Sequence, residues 1–388
     1  RRDKKMNDLA HEMKNWRHDI HRNPELGFNE LRTADKVASC LQEFGIETHV
    51  GIGGTGVVGV LRCGSSRKTI GLRADMDALP IQEMGESAHK SLNDGVFHGC
   101  GHDGHTAMLL GAAKRLSTEG GFDGTVYFIF QPSEENGRGA LAMMEDGLFD
   151  QFKMEAVYGL HNMPGIKKGH FASKPGQMMT SEDNFVIDIK GKGGHASMPH
   201  MTRDPMVAGA EIVTALQTII SRSIGPEEWG VLSVTEFLTD GARNIIPSNV
   251  TIRGDVRALD PKVQTRIEKR MRDVVSGICD AHNVTGTVHY SHEFIVLDNA
   301  DAETEAAVSA AIETVGADRV NSSCDTCTCS EDFARFLNHV PGSFILLGAG
   351  DGVDQPPLHN PYYDYDDDLL EIGASYWTKL VRQQLATL

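Results

Sequence analysis

The chain has 388 residues, of which 40% are hydrophobic and 23% are charged. This composition is typical of a folded globular protein with two or three domains of ordinary size, and it excludes a disordered chain. The formal net charge of −17 disfavours nucleic acids and anionic membranes as partners, because both are bound through basic surfaces.

The sequence contains no apolar run near the roughly 18 residues that a membrane helix needs. No apolar signal-peptide core follows the basic residues at its start, so the sequence favours a cytoplasmic protein. The seven cysteines are odd in number and irregularly spaced. They are expected to be reduced thiols and not a disulfide framework.

The first part of the chain has the pattern of an α/β protein. Residues 6–44 carry two helical patterns, and the glycine-rich residues 51–56 lead into a strand pattern. A dinucleotide-binding loop would open a helix, so these glycines are interpreted as a hairpin turn. Apolar strand patterns at 69–72, 125–130 and 156–160 and a helix at 106–116 follow. This alternation predicts a mainly parallel sheet, with polar clusters beyond the strand ends, where such sheets place their sites.

The pattern changes near residue 183. The segment alternates strand, helix, strand, strand, helix and strand, at 185–189, 206–222, 231–238, 249–259, 261–282 and 287–294. This order is the ferredoxin-like pattern. We therefore predict an α+β domain at 183–295 that is inserted into a discontinuous α/β domain formed by 1–182 and 296–388.

The loop at 98–105 is composed mainly of Gly, His, Cys and Asp. Such a segment can bury little apolar surface, whereas its thiol, imidazole and carboxylate groups suit a divalent metal. The alternative is a glycine-rich turn with incidental polar groups. His98, Cys100 and His102 alternate, so an extended backbone would direct them to the same side.

Further candidate groups follow the predicted strands. Glu134 and Glu135 come after one strand, so one carboxylate could bind metal while the other activates water, unless the pair is a solvated acidic loop. His161 ends another strand, and His359 lies in a proline-rich loop. Asp75 and Asp77, separated by one residue, lie at a strand end, and either alone could be a helix-capping or turn carboxylate.

Polar groups in the inserted domain could hold a substrate. His195 lies in a glycine-rich turn, and Asn244 and Arg257 lie near a predicted strand. An imidazole, an amide and a guanidinium suit the carboxylate and carbonyl of an amino-acid derivative. Farther along, the thiols of Cys324, Cys327 and Cys329 do not complete a structural zinc site and are interpreted as incidental.

Six motifs occur in order along the chain, at residues 73–80, 98–105, 131–135, 159–162, 194–197 and 330–333. Together they resemble the aminoacylase/carboxypeptidase-type metallopeptidases, in the branch of hippurate hydrolases and IAA-amino acid hydrolases. The resemblance covers essentially the full length. It implies a metallopeptidase catalytic domain plus a smaller lid domain that often dimerises.

The resemblance also implies roles for individual residues. The metal ligands would be Cys100, His102, Glu135, His161 and His359. Glu134 would be the general base, and Asp77 would orient a ligand. His195 would stabilise the oxyanion, in dimeric relatives from the neighbouring subunit, and Asn244 and Arg257 would hold the substrate carboxylate. Most of the family carries a histidine ligand where this chain has Asp75, so the thiolate of Cys100 is the expected replacement.

The resemblance therefore implies hydrolysis of the amide bond of N-acyl amino acids, with two divalent metal ions as cofactors. Zinc or manganese is expected, and cobalt and nickel are also compatible with the ligands. A homodimer or higher homo-oligomer is expected. The alternatives are a dipeptidase or carboxypeptidase with the same groups, and a non-catalytic metal-binding or thiol-sensing protein on the same scaffold.

Overall fold

The computed structural model describes residues 2–353 and 355–387, with side chains from residue 8 onward. The first and last residues of the predicted catalytic domain lie outside the described residues. Within them, no helix is both long and apolar enough to cross a membrane.

Helices and strands follow one another along most of the chain. The helices are α1 (Arg2–Arg22), α2 (Leu31–Glu43), α3 (His102–Glu119), α4 (Gly139–Glu145), α5 (Leu148–Gln151), α6 (Pro205–Ser223), α7 (Pro261–Ala281), α8 (Asp301–Val315), α9 (Ala334–Leu337) and α10 (Leu369–Gln384). The strands are β1 (Glu47–Ile52), β2 (Gly56–Cys63), β3 (Thr69–Asp75), β4 (Gly124–Gln131), β5 (Ala156–Pro164), β6 (Phe171–Ala172), β7 (Gly176–Met179), β8 (Glu182–Lys190), β9 (Gly194–His195), β10 (Gly230–Thr239), β11 (Ile245–Ile246), β12 (Asn249–Ala258), β13 (Thr285–Phe294), β14 (Leu297–Asn299), β15 (Val320–Asn321) and β16 (Gly342–Gly350).

The chain divides into two compact units. The first consists of Arg1–Met178, Asp298–Asp325 and Asp332–Leu388, and the second of Met179–Leu297 and Thr326–Glu331. The second unit therefore includes a short segment, Thr326–Glu331, that lies well after its main part in the sequence.

The first unit is built on an eight-stranded sheet of order β1-β2-β4-β3-β5-β16-β6-β15. Its central strands β4, β3, β5 and β16 pair in parallel, whereas β1 and β2 form the predicted antiparallel hairpin at one edge. Every residue of β4 is buried, as expected for a parallel strand covered on both faces. Helices α3, α8 and α10 contribute to the core of this sheet. The predicted mainly parallel α/β sheet is confirmed.

The second unit has a four-stranded antiparallel sheet of order β10-β12-β8-β13. Its chain order β8-α6-β10-β12-α7-β13 confirms the ferredoxin-like α+β prediction. Inward residues alternate along β12 and form a core with α6 and α7. Both helices begin at a proline after an aspartate whose side chain accepts a backbone N–H, Asp204 and Asp260, which explains where they start.

Candidate metal centre

The candidate site of the first unit lies at the carboxyl ends of β3, β4 and β5. These strands are neighbours and parallel, so the polar residues that follow them meet at one edge of the sheet. Asp75 ends β3, Glu134 follows β4, and His161 lies in the second half of β5. The amino end of α3, starting at His102, enters the same place.

All five predicted metal ligands come together there, in two overlapping groups. Cys100, His102 and His161 have ligand atoms within 4.8 Å of one another, and so do Cys100, Glu135 and His359. The Cys100 Sγ lies 3.4 Å from His161 Nε2, and His359 Nε2 lies 3.5 Å from Glu135 Oε2. Because Cys100 belongs to both groups, the arrangement can accommodate two adjacent cations.

Two ligand atoms in this cluster have no hydrogen-bond partner among the described residues. His102 Nε2 and Glu135 Oε1 are both buried, and they lie 3.8 Å from each other, too far apart for a hydrogen bond. The other ring nitrogen of His102, Nδ1, donates to Asp77, 2.9 Å from its carbonyl oxygen and 3.2 Å from Oδ1. Asp77 Oδ2 also accepts the Glu135 N–H at 3.0 Å. Asp77 thus orients both candidate ligands and leaves His102 Nε2 and Glu135 Oε1 available to coordinate a cation. The residues present therefore fit a metal ion.

The electrostatics of the site also favour a bound cation. Burial alone would lower the pKa of His102, but Asp75, Asp77 and Glu135 raise it to about 10. Burial raises the pKa of Glu135 to about 8, against the opposing effect of His102. Burial, Glu135 and Glu134 hold the pKa of the Cys100 thiol well above its usual range. A cation would relieve this accumulation of acidic groups and release the protons.

Glu134 is buried beside the ligands. Its Oε2 lies 4.0 Å from His102 Nε2, and its Oε1 accepts the backbone N–H of Asp332 at 3.4 Å. The carboxylate therefore reaches the edge of the ligand cluster while a distant backbone segment helps to orient it.

Asp75 is held by its own partners. Its Oδ2 accepts from Arg73 at 2.7 Å, and its Oδ1 lies 2.6 Å from His105 Nδ1. Burial alone would raise the pKa of Asp75, but His102, His105 and Arg73 hold it well below its usual range. The other ring nitrogen of His105 lies 2.7 Å from Asn162 Oδ1, so both nitrogens of His105 have partners.

The loop at 98–102 differs from the extended conformation that we predicted. Gly101 has φ +89° and His102 is already the first residue of α3, so the backbone is not extended here. Cys100 and His102 nevertheless bring their ligand atoms within 4.8 Å of each other. His98 is fully buried outside both ligand groups, and neither of its ring nitrogens has a partner among the described residues. Burial lowers the pKa of His98 to about 4.

The prediction that every cysteine is a reduced thiol is wrong for two of them. Cys327 and Cys329 form a disulfide in the second unit, whereas the other five cysteines are free. Only one residue separates these two cysteines, and the bend between them brings their Cα atoms to 5.3 Å, within disulfide range.

The remaining predicted site residues belong to the second unit. His195 is exposed, with Nδ1 2.8 Å from the Ser197 hydroxyl, and the Asn244 carbonyl accepts the Ala196 N–H at 3.0 Å. These two residues lie close together, because β9 pairs with β11. Arg257 is half-buried and already pairs with acidic groups, Glu182 at 2.9 Å and Asp255 at 3.0 Å.

One buried group was not assigned by the sequence analysis. Asp103 follows His102 and accepts from Arg17 at 3.2 Å and from His21 at 2.9 Å. Burial alone would raise the pKa of Asp103, but His21 and Arg17 hold it well below its usual range. This network anchors the first turn of α3 and therefore His102. A carboxylate in the first turn of a buried helix was the signal that could have identified it.

The chain is thus an α/β protein with a candidate metal centre at the carboxyl edge of its parallel sheet. The site is composed of a thiol, imidazoles and carboxylates, a set of groups that is typical of metal-dependent hydrolases. The chain belongs to the peptidase family M20/M25/M40, whose model matches residues 71–383.

Comparisons with individual proteins agree over the full length. The chain is 42% identical to a hippurate hydrolase of Campylobacter jejuni, over 97% of this chain and 98% of that protein. It is 36% identical to thermostable carboxypeptidase 2 of Saccharolobus solfataricus, over 96% of each. The crystal structure of the Bacillus subtilis YXEP protein, described as a dinuclear metal-binding peptidase of the M20 family, matches with a TM-score of 0.85 and 30% identity, over 98% of this chain and 100% of that one.

Proposed function

We propose that the protein is a metal-dependent amidohydrolase that cleaves the amide bond of N-acyl amino acids of the hippurate type. The observation that carries this proposal is a buried carboxylate, Glu134, beside five convergent ligand side chains. Family membership and the 42% identity to a hippurate hydrolase support the choice of bond and substrate.

The ligands in this proposal are Cys100, His102, Glu135, His161 and His359, and they would hold two divalent ions. The two overlapping ligand groups support that number. Thiolate and imidazole suit zinc, and the carboxylate also suits manganese, so we propose one of these two metals, with cobalt and nickel compatible. When bound, the ions would polarise the scissile carbonyl and make the attacking water more acidic.

Glu134 would act as general base and then as general acid. It would take a proton from the attacking water and return it to the leaving nitrogen, so that a carboxylic acid and a free amino acid are released. Asp77 would keep His102 and Glu135 oriented through the hydrogen bonds described above.

The second unit would supply substrate contacts and act as a lid and dimerisation domain. We propose that His195 stabilises the oxyanion and that Asn244 and Arg257 hold the substrate carboxylate. Since Arg257 is paired with Glu182 and Asp255, the substrate carboxylate would have to replace one of these partners.

We also propose a homodimer formed through the second unit. Strand β10 lies at an edge of its sheet and exposes Phe237 and Leu238. Exposed apolar edge strands are prone to pair with another chain. Light scattering should give twice the chain mass for the wild type, and Leu238→Lys should lower it to one chain mass.

A cytoplasmic location stays a proposal, supported by the five free thiols. In that compartment the Cys327–Cys329 disulfide would be subject to reduction. Fractionation of cells that produce the protein, followed by detection of the full chain, tests the location.

A substrate panel tests the proposed function. Metal-loaded protein should hydrolyse hippurate and other N-acyl amino acids with a higher kcat/KM than dipeptides that carry a free amino group. The reverse preference would favour the dipeptidase or carboxypeptidase alternative, and one of the similar proteins is a carboxypeptidase. Absence of hydrolysis in both groups would favour a non-catalytic protein.

A further inference from the structure

The turn that carries Glu134 and Glu135 contains an unusual residue. Ser133 has φ +53°, a left-handed conformation that non-glycine residues adopt at a cost. Its side chain is fully buried, and its hydroxyl has no hydrogen-bond partner among the described residues. The serine hydroxyl therefore does not stabilise this turn, and another part of the molecule must maintain it.

Glu30, next to the start of α2, is the group that holds it. The Glu30 side chain is buried, and its Oε1 accepts the backbone N–H of Ser133 at 2.8 Å. Its Oε2 accepts the hydroxyl of Thr55 at 2.6 Å, which fixes the carboxylate. Gly27 approaches so closely that a Cβ there would lie 2.2 Å from Ser133 Oγ. The segment 27–30 thus packs directly against the turn.

The carboxylates of Glu30 and Asp77 hold the two ends of the same short segment. Glu30 accepts the N–H of residue 133, and Asp77 accepts the N–H of Glu135 at 3.0 Å. Glu134 lies between these two fixed amides. On the other side, the carbonyl of Ser133 accepts the N–H of Gly139 at 2.9 Å, which closes the turn. The direction of the Glu134 and Glu135 side chains therefore depends on the conformation of residue 133.

We propose that Glu30 is a positioning residue for the reaction. By accepting the Ser133 N–H, it maintains the left-handed turn that directs Glu134 and Glu135 into the metal centre. The inference rests on the proposed function, since it takes Glu134 as the base and Glu135 as a ligand. Glu30 is not one of the ligands and acts only through residue 133.

The test combines substitutions at Glu30 with Ser133→Gly. Glu30→Ala should lower kcat for hippurate and weaken zinc affinity, each by about tenfold to a hundredfold, as for other groups that orient ligands. KM should change little. Glu30→Gln should retain most of both properties, because its amide oxygen can still accept the Ser133 N–H. Glycine adopts positive φ without a steric cost, so Glu30→Ala should have a much smaller effect in the Ser133→Gly background.

Zinc affinity is measured by competition with a chromophoric chelator, and kcat is expressed per folded, metal-loaded molecule. If Glu30→Ala lowers kcat and zinc affinity by the same factor whether residue 133 is serine or glycine, Glu30 does not act through the turn and the proposal is overturned. It is also overturned if Glu30→Ala lowers only thermal stability. Should that variant fail to fold, Glu30→Asp replaces it, since its shorter carboxylate keeps the charge but cannot reach the Ser133 amide. The proposal is supported if the substitution at Glu30 lowers kcat and zinc affinity and if Ser133→Gly restores them. It is overturned if the substitution at Glu30 leaves both quantities at their wild-type values.

The same experiment separates the two proposals. If the wild type hydrolyses no N-acyl amino acid, the proposed function fails. The chelator competition still reports whether Glu30 shapes the metal site through residue 133.

Discussion

Arg73 provides a sharp test of the buried charges that support the site. Its guanidinium is fully buried and donates to Asp75 at 2.7 Å, Asp332 at 3.1 Å and Gln131 Oε1 at 2.8 Å. Arg73→Met keeps an apolar side chain of similar length but leaves two buried carboxylates without this cation. Removing one partner of a buried charge pair costs about 3–5 kcal/mol.

The lower end of that range is expected, because each carboxylate keeps other partners. Asp75 still contacts His105, and Asp332 still accepts the Ala140 N–H at 2.9 Å. Urea unfolding of metal-free protein should therefore show a free energy of unfolding that is lower by about 3 kcal/mol.

The matched control is Arg62→Met. Arg62 pairs with Glu47 at 2.6 Å, but its side chain is 61% exposed, so its loss should cost less than about 1 kcal/mol. If both substitutions lower the free energy of unfolding by the same small amount, the reasoning is refuted, because the buried carboxylates would then tolerate the loss of the Arg73 cation.

Three further predictions test the metal ligand, the packing and the pH dependence. Cys100→Ala should lose bound zinc and hydrolysis, whereas Cys327→Ala, in the disulfide loop, should lose neither, as elemental analysis and hippurate turnover would show. Gly104→Ala should lose about 1–3 kcal/mol in urea unfolding, because its Cβ would lie 2.3 Å from a buried tyrosine ring, whereas Gly277→Ala, with nothing near its Cβ, should cost nothing. Burial raises the pKa of Glu30 to about 7 from 4.5, so its contribution to stability is present below pH 4.5 and lost as the pH rises through 7. The stability of the wild type relative to Glu30→Gln should fall over that window by roughly 3 kcal/mol at most, and a constant difference would contradict this.

Much of the fold could be predicted from the sequence, because the signals for it are local. All residues of β4 are buried, and five of them, at 126–130, form one apolar run, whereas the alternation along β12 matches one covered face. The polar residues at or near the carboxyl ends of β3, β4 and β5 identified the edge of the sheet where the candidate ligands meet.

The supporting contacts could not be predicted in this way, because they join distant parts of the chain. Arg73 and Asp332 are separated by 259 positions, and Glu30 and Ser133 by 103. Periodicity contains no information about which buried charges will pair. The left-handed backbone of Ser133 is similarly hidden, because serine, unlike glycine, does not indicate a positive φ.

The central claim is that Glu134 transfers protons in metal-dependent amide hydrolysis, and Glu134→Gln tests it most directly. Loss of a general base lowers kcat by about 10²–10⁴-fold, so hippurate turnover should fall by that factor in metal-loaded protein. The zinc content should equal that of the wild type, since Glu134 is not one of the five proposed ligands. A kcat close to that of the wild type, with zinc bound in both proteins, would contradict the account.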